Sequence, residues 1–70
     1  MYKENLPIRL KNARLECKMS QYKVAAALNL KQPTIAGYES GRTEPDIETL
    51  GKLAQLYCHS VDYFLGLAND

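Results

Sequence analysis

The stretch "LKQPTIAGYESGR", Leu30 to Arg42, has the apolar spacing of a helix and the composition of a poor one. Leu30, Ile35 and Tyr38 fall on one side of a helical wheel. Pro33 stands near the start, and Gly37 in the middle costs about 1 kcal/mol relative to Ala. The opposite side offers Gln32, Thr34, Ala36 and Gly37, all short or uncharged. A short-chained helix face of this kind admits another molecule to close range. The predicted helix runs from Gln32 to Glu39 and is ended by Ser40 and Gly41.

Upstream, "QYKVAAALN" (residues 21–29) reads as a second amphipathic segment with Val24, Ala25 and Leu28 inward. Ser20 is its N-cap. Asn29 tolerates the left-handed conformation that ends a helix, so a tight turn is expected between the two segments. A helix, a short turn and a second helix make a helix-turn-helix unit.

Three more helices surround that unit. Leu6, Leu10, Ala13 and Cys17 recur at the spacing of one helix face, and Pro7 suits the first turn. This first helix is expected to end at Cys17 or Lys18. Asp46 caps a fourth segment whose inward set is Ile47, Leu50, Leu53, Ala54 and Tyr57, with Glu48 favouring its positive end. Ser60 caps a short fifth helix, "VDYFLGL", closed near Gly66. No stretch alternates apolar and polar residues long enough to compete as a strand. The expected fold is all-α, five helices around one core, in a single domain spanning residues 1–70.

Composition narrows the function classes. Hydrophobic residues make up 46% and charged residues 24% of the chain, which is the range of an ordinary globular domain and not of a disordered one. No apolar run approaches the roughly 18 residues that span a bilayer, and the N-terminal "MYKENLPIRL" lacks the apolar core of a signal peptide. A soluble, cytoplasmic protein is expected, with no membrane partner. Cys17 and Cys58 form neither a C-x-x-C motif nor a disulfide framework, and they read as small buried hydrophobes. With His59 they supply three potential metal ligands, short of a structural site, so no metal and no cofactor are expected. One histidine, without a phosphate-cradling glycine loop or a nucleophile–base pair, points away from enzyme chemistry, and no small-molecule ligand is evident.

The net charge is only +1, but it is unevenly placed. Residues 1–43 hold eight lysines and arginines against three acids, whereas residues 44–70 hold one against five. One end of the molecule therefore favours a polyanion.

The segments "MSQ", "TIAGYESGRTEP", "IETLGKLA" and "SVDYFL" resemble, in order and spacing, the Cro/C1-type (XRE) helix-turn-helix regulators related to lambda-like phage repressors. The resemblance covers about residues 6–67. It implies a sequence-specific binder of double-stranded DNA, acting as a homodimer on an inverted repeat and most often as a repressor. The second helix of the motif would lie in the major groove. Carried over by position, Gln32, Pro33, Thr34 and Gly37 would face the bases, with adenine the expected partner of Gln32. Gln21, Lys31, Ser40 and Arg42 would hold phosphates. Arg14 and Glu39 match an ion pair that orients the recognition helix. Tyr63 and Leu67 are candidates for a dimer contact, with Phe64 inward.

Four positions depart from the family pattern. Lys18 and Cys58 stand where Gly often follows a helix, which implies strained or altered turns. Gly37 stands where a longer base-reading side chain is common, which throws more of the readout onto DNA shape. His59 replaces a small apolar residue and reads as a partly buried, hydrogen-bonded histidine. The same fold used chiefly for protein contact, in an antitoxin or anti-regulator, is the alternative function. DNA binding would then be secondary. Independently of that choice, Gln32 and Thr34 also fit solvated polar residues at a helix start, Gln21 a helix-start residue and Arg42 an exposed loop cation.

Overall fold

The computed structural model describes residues 5–67. Lys3, Glu4 and Asp70, which enter the charge asymmetry, and the two ends of the expected domain lie outside them. The order is α1 (Leu6–Glu16), α2 (Gln21–Ala27), α3 (Gln32–Ser40), α4 (Ile47–Tyr57) and α5 (Val61–Phe64). Among the described residues there is no strand, and no helix is long and apolar enough to cross a membrane. α2 packs on α3, α1 lies against α3 and α5, and α5 closes on α4.

At seven and four residues, α2 and α5 are far below the length at which a helix is stable alone. Two things hold them. One is capping: the Ser20 hydroxyl accepts from the Lys23 amide at 3.0 Å, and that of Ser60 accepts from the Tyr63 amide at 3.1 Å. The other is a core in which Leu10, Val24, Ile35, Leu53 and Phe64 are almost fully enclosed. Burying each such side chain contributes about 1.5–3 kcal/mol. Leu6, Ala13, Ala25, Tyr38, Leu50, Ala54 and Tyr57 complete it.

All five helices of the described residues end in the same way. The residue at the close of each is left-handed: Lys18, Asn29, Gly41, Cys58 and Gly66. The amide of the following residue reaches back five positions to a carbonyl, as in Met19 to Arg14, Leu30 to Ala25, Arg42 to Gly37, His59 to Ala54 and Leu67 to Asp62. This is the Schellman arrangement. It cuts α2 at Ala27 and α5 at Phe64, shorter than the apolar pattern suggests. Asn29 takes the turn expected of it, with φ 58°. Lys18 (φ 57°) and Cys58 (φ 60°) adopt a conformation that favours glycine.

Three residues expected in the core are exposed. Cys17 and Cys58 are exposed, free thiols and not core residues. Cys17 is the C-cap of α1, so the helical path that would carry it inward has already ended, and Cys58 is the left-handed residue closing α4. Ile47 is 91% exposed. It occupies the first position of α4, ahead of the point where the helix meets its neighbours, and the inward stripe begins at Leu50.

Candidate nucleic-acid interface

The first residues of α2 and α3 are joined side chain to side chain. Gln32 Nε2 donates to Gln21 Oε1 at 2.8 Å, and Gln21 Nε2 donates to Glu39 Oε1 at 3.0 Å. Glu39 also accepts from Arg14, through Nε at 2.7 Å and Nη2 at 3.0 Å. The third guanidinium nitrogen, Nη1, donates to the Met19 carbonyl in the α1–α2 turn at 2.9 Å. A continuous polar chain thus runs from the buried Arg14 to the rim of the motif. Hydrogen bonding to Glu39 keeps the Arg14 pKa above its ordinary value, against a smaller opposing effect of burial.

This chain has a direction. A carboxylate only accepts, so Gln21 must turn its amide nitrogen inward and its carbonyl oxygen toward Gln32. Gln32 must answer with its nitrogen, which leaves its own oxygen and one N–H available at the surface. One acceptor and one donor on a planar amide are the pair that the major-groove edge of adenine requires.

The remaining expected site residues lie around this pair. Lys31 is the exposed N-cap of α3. Pro33 is exposed and Thr34 half-buried at the head of the helix, where they line a shallow cleft of about 370 Å³ with Tyr38, Arg42, Thr43 and Glu44. The Ser40 hydroxyl donates to the Gly37 carbonyl at 3.2 Å. Gly37, expected on the open face, is buried. A Cβ there would meet Thr43 Oγ1 at 2.8 Å and Arg42 Nη2 at 3.1 Å. Arg42 therefore lies back along α3, with Nη2 3.5 Å from the Pro33 carbonyl. Nothing in the sequence marks Thr43 itself, although a glycine on an otherwise outward face signals that something sits on it.

Tyr63 and Leu67 are separated by their surroundings. The Tyr63 ring stacks on His59 at 4.1 Å and lies 4.7 Å beneath the Arg9 guanidinium, which donates to the Tyr63 carbonyl. His59 Nε2 lies 3.5 Å from Glu16 Oε1. Leu67 is exposed. A second apolar feature, missed in the sequence, is a groove of about 380 Å³ lined by Leu6, Pro45, Ile47, Leu50, Val61 and Leu65, with Glu44 at its edge. Among the described residues no group of three His, Cys, Asp or Glu side chains is placed to hold a metal ion.

Comparison with known proteins places this geometry. A helix-turn-helix domain model matches residues 10–63, which contain α2, α3 and the whole polar chain. The HTH-type transcriptional regulator ImmR of Bacillus subtilis (strain 168) is 41% identical over 58 residues, covering 83% of this chain and 46% of that protein. The uncharacterized HTH-type transcriptional regulator YobD of the same organism is 36% identical over 62 residues, or 89% of this chain and 55% of that one. The antitoxin HigA1 of Mycobacterium tuberculosis is 36% identical over 42 residues, 60% of this chain and 28% of its own. The chain thus spans about half the length of the two regulators. With five helices in this order and the motif on α2 and α3, the chain belongs to the Cro/C1-type (XRE) helix-turn-helix family.

Proposed function

We propose that this domain binds operator DNA in the major groove as a homodimeric transcriptional regulator, acting as a repressor at an inverted repeat. The observation that carries the reading is the Arg14–Glu39–Gln21–Gln32 chain. It fixes two amide side chains, at the first residues of α2 and α3, from a buried charge. A solvated surface glutamine needs no such support, whereas a base-reading one gains from lost rotamer freedom before binding.

In this reading Gln32 pairs with adenine, and Thr34 meets a phosphate or a thymine methyl. Gln21, Lys31 and Ser40 hold the flanking backbone. The apolar groove edged by Ile47 and Val61, together with Leu67, supports dimerisation. Glu44 borders both the cleft at α3 and this groove, so the two features adjoin. The alternative, an antitoxin-type protein-contact module, draws on a match that covers a smaller share of both chains.

The test is selection of bound DNA from a random duplex pool, followed by titration at two salt concentrations. A palindrome with half-sites about one helical turn apart is the expected product. Its affinity should fall steeply with salt as phosphate contacts release counterions. No enriched sequence would refute the operator-binding reading.

A further inference from the structure

Residue 37, where the family resemblance implies a base-reading position, has no side chain, and side chains from outside α3 lie over it. Ile35 and Tyr38 form the buried row of α3, and Gly37 lies three positions beyond Thr34, on the row that leads away from the core. Gly37 nevertheless has little exposed surface, because residues of the following loop cover it. The amides of Arg42 and Thr43 both donate to the Gly37 carbonyl, at 3.0 and 3.3 Å. The loop is thereby folded back onto the helix, and the Arg42 backbone has one place to be.

From there the Arg42 side chain runs along α3 toward its N-terminal end, over the site where a Cβ of residue 37 would stand and up to the Pro33 carbonyl. That carbonyl is the one hydrogen-bond partner of the guanidinium among the described residues, and at 3.5 Å the bond is long and weak. Arg42 is exposed, so most of its five N–H donors remain available. A phosphate clamp would extend away from the helix toward a flanking strand. This guanidinium instead occupies the surface of the helix itself, beside Pro33 and Thr34.

We propose that Arg42, laid across Gly37, is a specificity-determining residue that reads a guanine in the major groove. The planar fork of donors matches the O6 and N7 acceptors of guanine. Gly37 is what makes this possible: any side chain at that position would take the space the guanidinium uses. The proposal rests on the operator-binding reading given above and reassigns Arg42 from phosphate to base.

The experiment repeats the random-duplex selection with the wild type, Arg42→Ala, Arg42→Lys and Gly37→Ala, with thermal melting of each. A motif enriched by the wild type establishes operator binding independently of the proposal. The expected result is that Arg42→Ala loses its preference for one guanine in each half-site by about 5- to 150-fold while the other positions keep theirs. Arg42→Lys should keep the salt dependence and lose most of the same preference, because an ammonium lacks the fork. Gly37→Ala, if its melting shows it folded, should flatten the same position. A motif that survives Arg42→Ala unchanged, with all sequences weakened equally, would overturn the proposal and leave the phosphate role. No motif from the wild type would overturn it together with the function on which it rests.

Discussion

Glu39 Oε2 stands 2.7 Å from Arg14 Nε, with the two side chains only 4% and 10% exposed, and its second oxygen accepts from Gln21. One carboxylate therefore neutralises a buried guanidinium and orients the motif's surface amides. Under the proposed function, stability and DNA recognition are linked through it.

Removing one member of a buried ion pair strands the other, at a cost of about 3–5 kcal/mol. Glu39→Ala should therefore lower the urea midpoint sharply, a large loss for a domain whose total stability is about 5–15 kcal/mol. Glu39→Gln keeps a hydrogen-bonding partner and should cost less. A midpoint within error of the wild type for Glu39→Ala would show that water reaches Arg14.

Gln32→Ala should relax the preference for one base pair per half-site at a cost of about 1–3 kcal/mol. Because Gln21 holds Gln32 by a hydrogen bond, the two are not independent. A double-mutant cycle read by DNA affinity should give a coupling of about 0.5–3 kcal/mol. Strict additivity would mean that the contact between the amides is lost on the DNA.

Lys18 and Cys58 are exposed residues in left-handed turns, where glycine has no Cβ penalty. The penalty is about 1–2 kcal/mol, offset by the roughly 0.4–1 kcal/mol that glycine adds to the freedom of the unfolded chain. Lys18→Gly and Cys58→Gly should each raise the melting temperature by a few degrees. A decrease in either would reveal a contact made by the replaced side chain.

Asp46 Oδ1 accepts from the Thr49 amide at 2.8 Å, and hydrogen bonds from Thr49 hold its pKa below the ordinary carboxylate value. A lowered native pKa means that the unfolded chain takes up the proton first as pH falls. The cap's contribution is thus complete above the ordinary carboxylate range, about pH 4, and is lost as pH drops through the lowered native value. Asp46→Asn keeps the cap acceptor without titrating. Melting temperatures of the two proteins should diverge above about pH 4 and converge below it; parallel profiles would remove Asp46 from the acid transition.

Ile47 and Val61 open α4 and α5 and border the apolar groove. Ile47→Asp leaves the core untouched and places an acid where a helix N-terminus favours one. It should change monomer stability by no more than about 0.5 kcal/mol and weaken dimerisation, seen by sedimentation as a shift toward monomer. Dimerisation unaffected by both Ile47→Asp and Val61→Asp would move the interface off this groove.

Much of this molecule is written locally. Ser20, Asp46 and Ser60 mark three helix starts, because a short side chain that accepts from an amide three residues on does so without help from the rest of the fold. The spacing of Leu6, Leu10 and Ala13, or of Leu50, Leu53 and Tyr57, names the buried faces. Asn29 and Gly41 identify the turn that makes α2 and α3 a motif, and the motif with its flanking segments is enough to name the family. Such features depend on separations of three to five residues, which a helix fixes by its own geometry.

What the tertiary structure decided depends on distance in space. The apolar pattern carries Cys17 and Ile47 inward, but a helix buries only the turns that meet a neighbour, and both residues lie beyond that contact. Gly37 reads as an open position until the loop folds back and seats Arg42 on it. The path from Arg14 through Glu39 and Gln21 to Gln32 joins residues as far as 25 positions apart. The order of its donors and acceptors is set by a buried carboxylate that can only accept, so the surface chemistry of Gln32 is decided in the core.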